Sequence, residues 1–127
     1  MSSLIVVDDN ELDWLIVNYN LRKYSKFNTV SYYSGEMPFV DFITQNANKK
    51  ENLPDAVFLD LNMPLFNGWD VLNAMKKIYP TLAKKIKVYI VTSSINPADI
   101  LRSKGFHFVR QFISKPFTKE NILEIAV

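Results

Sequence analysis

Five short apolar runs punctuate this chain, and stretches with helical periodicity separate them. Leu4-Ile5-Val6-Val7 is continuously apolar and ends in Asp8-Asp9, the pattern of a strand buried on both faces. Leu12, Leu15, Ile16 and Tyr19 then recur at i, i+3, i+4 and i+7, which predicts a helix with one apolar face, started by Asn10 and Asp13 as cap-like residues and ending near Ser25. Residues 27–33 are rich in β-formers and are broken by Ser34-Gly35. Phe39, Phe42 and Ile43 mark a second helix, whose Pro38 is tolerated only in the first turn. Residues 46–54 read as a polar linker. Ala56-Val57-Phe58-Leu59 is a third strand that delivers Asp60, and a loop to Gly68 leads to a helix with Val71, Leu72, Met75 and Ile78 on one side, terminated by Pro80. A fourth strand spans 86–91. Asn96 as N-cap, Pro97 at the first helical position and Asp99 in the first turn then open a short, weakly amphipathic helix. The last strand, 109–114, runs into Lys115-Pro116, and Thr118, Asn121, Ile122, Leu123 and Ile125 form a terminal helix.

Strands alternating with helices imply an α/β protein, because parallel neighbours need crossover connections and each crossover here is a helix. The expected architecture is a three-layer α/β/α sandwich around a five-stranded parallel sheet, in the order 2-1-3-4-5 known from flavodoxin-like folds. Ligand sites in such open sheets lie beyond the carboxyl ends of the strands. Asp8, Asp9, Asp60, Thr92 and Lys115 all fall at those ends.

Composition narrows the class further. At 127 residues the chain fits one domain, 1–127, that can bury a core without disulfides. It has no cysteine, which removes thiol chemistry and agrees with a reducing compartment. No apolar stretch approaches the roughly 18 residues of a membrane span, and the start Met1-Ser2-Ser3 lacks the flank of a secretory signal, so no membrane and a cytoplasmic location are expected. A net charge of +2 is too mild to argue for nucleic-acid binding, and Lys84-Lys85-Lys87 and Lys49-Lys50 read as solvated charges. Trp14 and Trp69 are expected to cover helix surfaces. His107, the sole histidine, has no clustered ligand partner in sequence and reads as a loop residue.

Three carboxylates, a hydroxyl and an ammonium at one rim make a site for a divalent cation and a phosphoryl group. Val7-Asp8-Asp9, Phe58-Leu59-Asp60-Leu61-Asn62-Met63-Pro64, Asn67-Gly68, Val91-Thr92-Ser93 and Ser114-Lys115-Pro116-Phe117, in that order, resemble the signature of response-regulator receiver domains across nearly the whole chain. The resemblance implies that Asp60 is a phosphoacceptor that takes its phosphoryl group from a histidine kinase or a histidine phosphotransfer protein. It implies Mg²⁺ as cofactor, held by Asp9, Asp60 and the backbone carbonyl of Asn62, with Asp8 acting through a water. Lys115, the Thr92 hydroxyl and the Ser93 backbone N–H are implied to bind phosphoryl oxygens, and the Lys115-Pro116 bond is commonly cis in this family.

The resemblance further implies a switch. Phosphorylation draws Thr92 inward and vacates space for an aromatic on the fifth strand, which by position is Phe112, altering a protein-binding face over residues 97–127. Many relatives have Tyr there; without a hydroxyl, Phe112 is expected to favour its inward rotamer before phosphorylation. Asn62 and Ser94 occupy the positions that modulate dephosphorylation. Both are small and uncharged, so fast self-hydrolysis is not expected. The aromatic segment Gly105-Phe106-His107-Phe108 replaces a small, Gly/Ala-rich turn, and packing is the favoured reading.

Two other functions compete. An aspartate-nucleophile phosphohydrolase would want a second carboxylate two residues after Asp60, where Asn62 stands. A docking module that has lost the chemistry has no need to retain mutually repelling carboxylates. The leading expectation is a signalling phosphoacceptor, not a turnover enzyme, with no output domain after the fifth helix.

Overall fold

In the computed structural model the described residues are 3–24, 27–61, 67–93 and 96–125. Five strands and five helices alternate as β1 (Ser3–Val7), α1 (Glu11–Tyr24), β2 (Thr29–Tyr33), α2 (Glu36–Gln45), β3 (Ala56–Leu59), α3 (Gly68–Ile78), β4 (Lys87–Thr92), α4 (Pro97–Ser103), β5 (Val109–Ser114) and α5 (Lys119–Glu124). All strand pairs are parallel and the order is β2-β1-β3-β4-β5, as expected.

Alternation along the central strands divides the core. Ile5, Val7, Val57, Leu59, Val88 and Ile90 pack with Phe39 and Ile43 of α2 and Val71, Leu72 and Met75 of α3. Leu4, Val6, Phe58, Tyr89 and Val91 point the other way, toward Val17 and Leu21 of α1 and Ile122 of α5. Both faces of β1, β3 and β4 are therefore dry, which is why those strands carry continuous apolar runs.

The rotation of α1 differs from the expected one. Leu12, Leu15 and Tyr19 are 69%, 64% and 63% exposed and Ile16 is 43% exposed, whereas Val17 and Leu21 are buried and Trp14 and Tyr24 pack against the core. The helix carries two stripes with helical spacing, and polar anchors choose between them. The Trp14 indole N–H donates to the Asp8 carbonyl, Asn20 donates to the Phe117 carbonyl at 3.0 Å, and Asp13 pairs with Lys115. With those contacts made, the Leu12 stripe faces solvent.

Three smaller departures follow from packing. Trp69 lies in the core, with the Phe106 ring stacked at 6.3 Å and the Arg102 guanidinium 4.3 Å from its ring centre, so it joins α3 to α4 instead of covering a helix surface. The polar linker hides one anchor, the fully buried Leu53, after a short 3₁₀ turn at Lys50–Asn52. Lys84 pairs with Asp55 at 2.9 Å. The aromatic segment packs as favoured: Phe106 and Phe108 are buried, Phe108 stacks on Tyr79 at 4.8 Å, and exposed His107 sits edge-on to Tyr79.

Candidate functional site

Sheet hydrogen bonding continues one rung beyond the strands and fixes the polar residues there. The Asp8 N–H donates to the Tyr33 carbonyl at 3.0 Å, Asp60 N–H to the Val7 carbonyl at 3.0 Å, and Lys115 N–H to the Thr92 carbonyl at 2.9 Å. Each chemical group thus sits on backbone as rigid as the sheet. Asp8 is pinned further, its Oδ1 accepting the Asn10 N–H at 2.9 Å. Asn10 Oδ1 in turn accepts from the Leu12 and Asp13 N–H groups, the N-cap expected for α1.

Asp8, Asp9 and Asp60 each offer a carboxylate oxygen within 4.8 Å of the others. Asp8 and Asp60 are buried and Asp9 is half-buried. Three hard oxygen donors so grouped, two of them shielded from water, fit a small divalent cation with room for water ligands. The Lys115 ammonium reaches into the same cluster, donating to Asp60 Oδ2 at 3.1 Å, Asp8 Oδ2 at 3.0 Å and Asp13 Oδ2 at 2.5 Å. Burial pushes the Asp8 carboxyl up, only partly offset by its hydrogen bonds to Asn10 and Lys115. For Lys115 burial opposes the charge, but the bonds to Asp13 and Asp8 and the charge of Asp60 outweigh it and hold the ammonium well above the ordinary lysine range. The Lys115-Pro116 bond is cis, which the sequence had left open.

Thr92 is fully buried at the end of β4, and Ser93, which follows it, is exposed. Ile90 pairs with Phe112, so Thr92, two residues on, shares a sheet face with Phe112. Phe112 is half-buried and packs against the core on that side. Asn62 and Ser94 lie outside the described residues. At the start of α3, Asn67 caps the helix by accepting the Trp69 N–H at 2.8 Å, and the Gly68 N–H donates to the Leu61 carbonyl at 3.1 Å. A Cβ on Gly68 would stand 2.6 Å from the Asp60 carbonyl oxygen, so α3 starts pressed directly on the backbone that carries Asp60.

Asp13 is the member of the site that sequence reasoning missed. As an acid in the first turn of a helix it reads as a dipole partner, and nothing local links it to a lysine 102 residues away. A cleft of about 670 Å³ opens at the other end of the sheet, lined by Ser3, Ile5, Thr29, Lys50, Asp55 and Lys84, and holds none of these groups.

An open parallel sheet whose rim gathers three carboxylates and a half-buried lysine is an arrangement suited to a cation and a phosphoryl group. The response regulator receiver domain profile matches residues 4–127, and the chain belongs to that family of two-component signalling domains. The fold is similar to a two-component response regulator from Cytophaga hutchinsonii, with a TM-score of 0.85 and 20% identity over 97% of this chain and 92% of that one. It is also similar to the Mn²⁺-bound form of response regulator Rcp1 of Synechocystis, at TM-score 0.75 and 27% identity over 97% and 88%. A phosphorylated cyanobacterial phytochrome response regulator, RcpA, matches at 0.74 and 28% over 97% and 86%. Among the described residues no helix is long and apolar enough to cross a membrane.

Proposed function

We propose that this domain is a cytoplasmic phosphoacceptor: the Asp60 carboxylate attacks the phosphorus of a phosphohistidine on a kinase or phosphotransfer protein. An O–P bond to Asp60 forms as the donor's P–N bond breaks, and the departing imidazole takes a proton from solvent. The observation that carries this reading is the convergence of Asp60, Asp8 and Asp9 with Lys115 at one rim, with Lys115 Nζ 3.1 Å from Asp60 and 3.0 Å from Asp8. Carboxylates alone would repel an anionic phosphoryl group. Mg²⁺ on Asp8, Asp9, Asp60 and the Asn62 carbonyl supplies the missing positive charge when bound. Lys115 then donates to a phosphoryl oxygen as a point charge, and the Thr92 hydroxyl and Ser93 N–H take others. The work of the domain is signalling, not turnover of small phosphoesters. Support for the metal comes from the donor set and from the Mn²⁺ in the Rcp1 structure.

The exposed Leu12, Leu15, Ile16 and Tyr19 stripe lies on α1, whose Asp13 pairs with Lys115 of the rim, and offers an apolar landing for the donor. The downstream protein binds at α4, β5 and α5. Thr92 moving toward the phosphoryl group opens space on the sheet face it shares with Phe112, whose ring turns inward; Phe112 favours that rotamer before phosphorylation because it has no hydroxyl to bond outward. Asn62 and Ser94 supply no base, so unusually fast self-hydrolysis of the acyl phosphate is not expected. Incubation with Mg²⁺ and acetyl phosphate, read by intact mass, tests the chemistry: one phosphate should appear on the wild type and none on Asp60→Asn. An equal gain on both proteins would overturn the assignment of Asp60, and no gain on either when donor kinase is also supplied would overturn the phosphoacceptor reading.

A further inference from the structure

An ammonium has three N–H donors, and in Lys115 all three are spent on carboxylates. Two of those partners, Asp8 and Asp60, belong to the group that offers oxygens to a cation; the third, Asp13, does not. Lys115 and a dication therefore compete for the same two carboxylates, and two positive charges crowded onto them repel strongly in a buried site. Asp13 is the one partner of Lys115 that the competition leaves alone. At 23% side-chain exposure it lies on the solvent side of the cluster, against 7% and 5% for Asp8 and Asp60. Its backbone is held rigidly, because the Asp13 N–H is one of those capped by Asn10.

We propose that Asp13 is a positioning residue for Lys115: it draws the ammonium off Asp8 and Asp60 when Mg²⁺ binds, and so sets the affinity of the acidic rim for the cation. The inference rests on reading Asp8, Asp9 and Asp60 as the Mg²⁺ site. Without Asp13, Lys115 has, among the described residues, only the metal's own ligands to lean on and resists displacement. With it, the ammonium is retained at the edge of the rim, within reach of an arriving phosphoryl group.

A double-mutant cycle on metal binding tests this. Mg²⁺ affinity is measured calorimetrically at constant ionic strength for the wild type, Asp13→Asn, Lys115→Met and the double variant, with urea melts to verify that each is folded. Asp13→Asn should weaken Mg²⁺ binding about tenfold, in the range of residues that orient the neighbours of a metal. The same change in the Lys115→Met background should cost less than about threefold, since the residue it acts through is gone. An equal loss in both backgrounds would mean that Asp13 acts on the cation through its own charge, and no loss in the wild-type background would mean that Lys115 does not depend on it; either overturns the inference. A wild type that binds no Mg²⁺ at all would overturn the metal-site reading itself, and the inference with it.

Discussion

Gly68→Ala is the substitution that most directly joins the stability of this fold to its chemistry. The added Cβ would lie 2.6 Å from the Asp60 carbonyl oxygen, 2.6 Å from the Leu61 Cα and 3.1 Å from the Leu61 Cδ2, where ordinary contact begins near 3.4 Å. Two of the three obstacles are backbone, so no rotamer change relieves them, and either α3 or the Asp60 segment must shift. Overpacking of this kind costs about 1–3 kcal/mol. The better helix propensity of alanine returns at most about 1 kcal/mol, and less at a first helical position. The net expectation is about 2 kcal/mol of destabilisation, or roughly 6–10 °C in melting temperature for a domain of this size. Urea denaturation followed by far-UV circular dichroism should show the midpoint falling by about 1 M with an unchanged slope. Because the displaced atom belongs to Asp60, Mg²⁺ affinity should fall several-fold in the folded variant. Gly105→Ala is the control: its nearest obstacle is the Arg102 carbonyl at 3.3 Å, a contact that a few tenths of an ångström relieve. A Gly68→Ala variant as stable as the Gly105→Ala control, with unaltered metal affinity, would show that α3 is not wedged against the backbone of Asp60 and Leu61.

Phe108→Ala removes a ring that is 2% exposed and stacked on Tyr79, and should cost about 3–5 kcal/mol by urea denaturation; a loss under about 1.5 kcal/mol would mean that the α4–β5 segment is not part of the core. Thr118→Ala breaks the capping box of α5, in which Thr118 Oγ1 accepts the Asn121 N–H at 3.3 Å, and should cost about 1 kcal/mol by the same assay, while Thr118→Ser should cost little. The Asp55 carboxyl is pushed up by burial but held below its ordinary value overall by the Lys84 ammonium at 2.9 Å and the Ser3 N–H at 2.8 Å. Its contribution is therefore present above the unfolded carboxylate range and lost as the pH falls through the lower folded value. The stability difference between wild type and Asp55→Asn should hold at about 0.5–1 kcal/mol above the unfolded carboxylate range and vanish as the pH falls below the lowered folded value. A difference that persists at the acid end would show that the contact is not electrostatic in origin.

Local rules made most of the elements legible. The caps at Asn10 and Asn96 act on backbone two or three residues away, so the neighbouring residues announce them. Continuous apolar runs at β1, β3 and β4 report burial on both faces, and that burial forces the crossover topology whose strand ends collect Asp8, Asp60, Thr92 and Lys115. The order of motifs is therefore enough to read the family and the acidic rim from the chain itself.

Choices between locally equivalent options were made by contacts distant in sequence. Either stripe of α1 has helical spacing, and the one that is buried was selected by Asp8, Phe117 and Lys115, groups brought together from both ends of the chain. Trp69 became a core residue because Phe106 and Arg102, more than thirty positions later, close over its ring. Asp13 joined the site for the same reason: a carboxylate in a first helical turn has one local meaning, and it acquires another only when the fold delivers an ammonium to it. Periodicity, caps and turns are properties of neighbouring residues and are written along the chain. Helix phase, ring stacking and shared counter-ions are properties of pairs distant in sequence, and they exist only once the sheet has brought those pairs together.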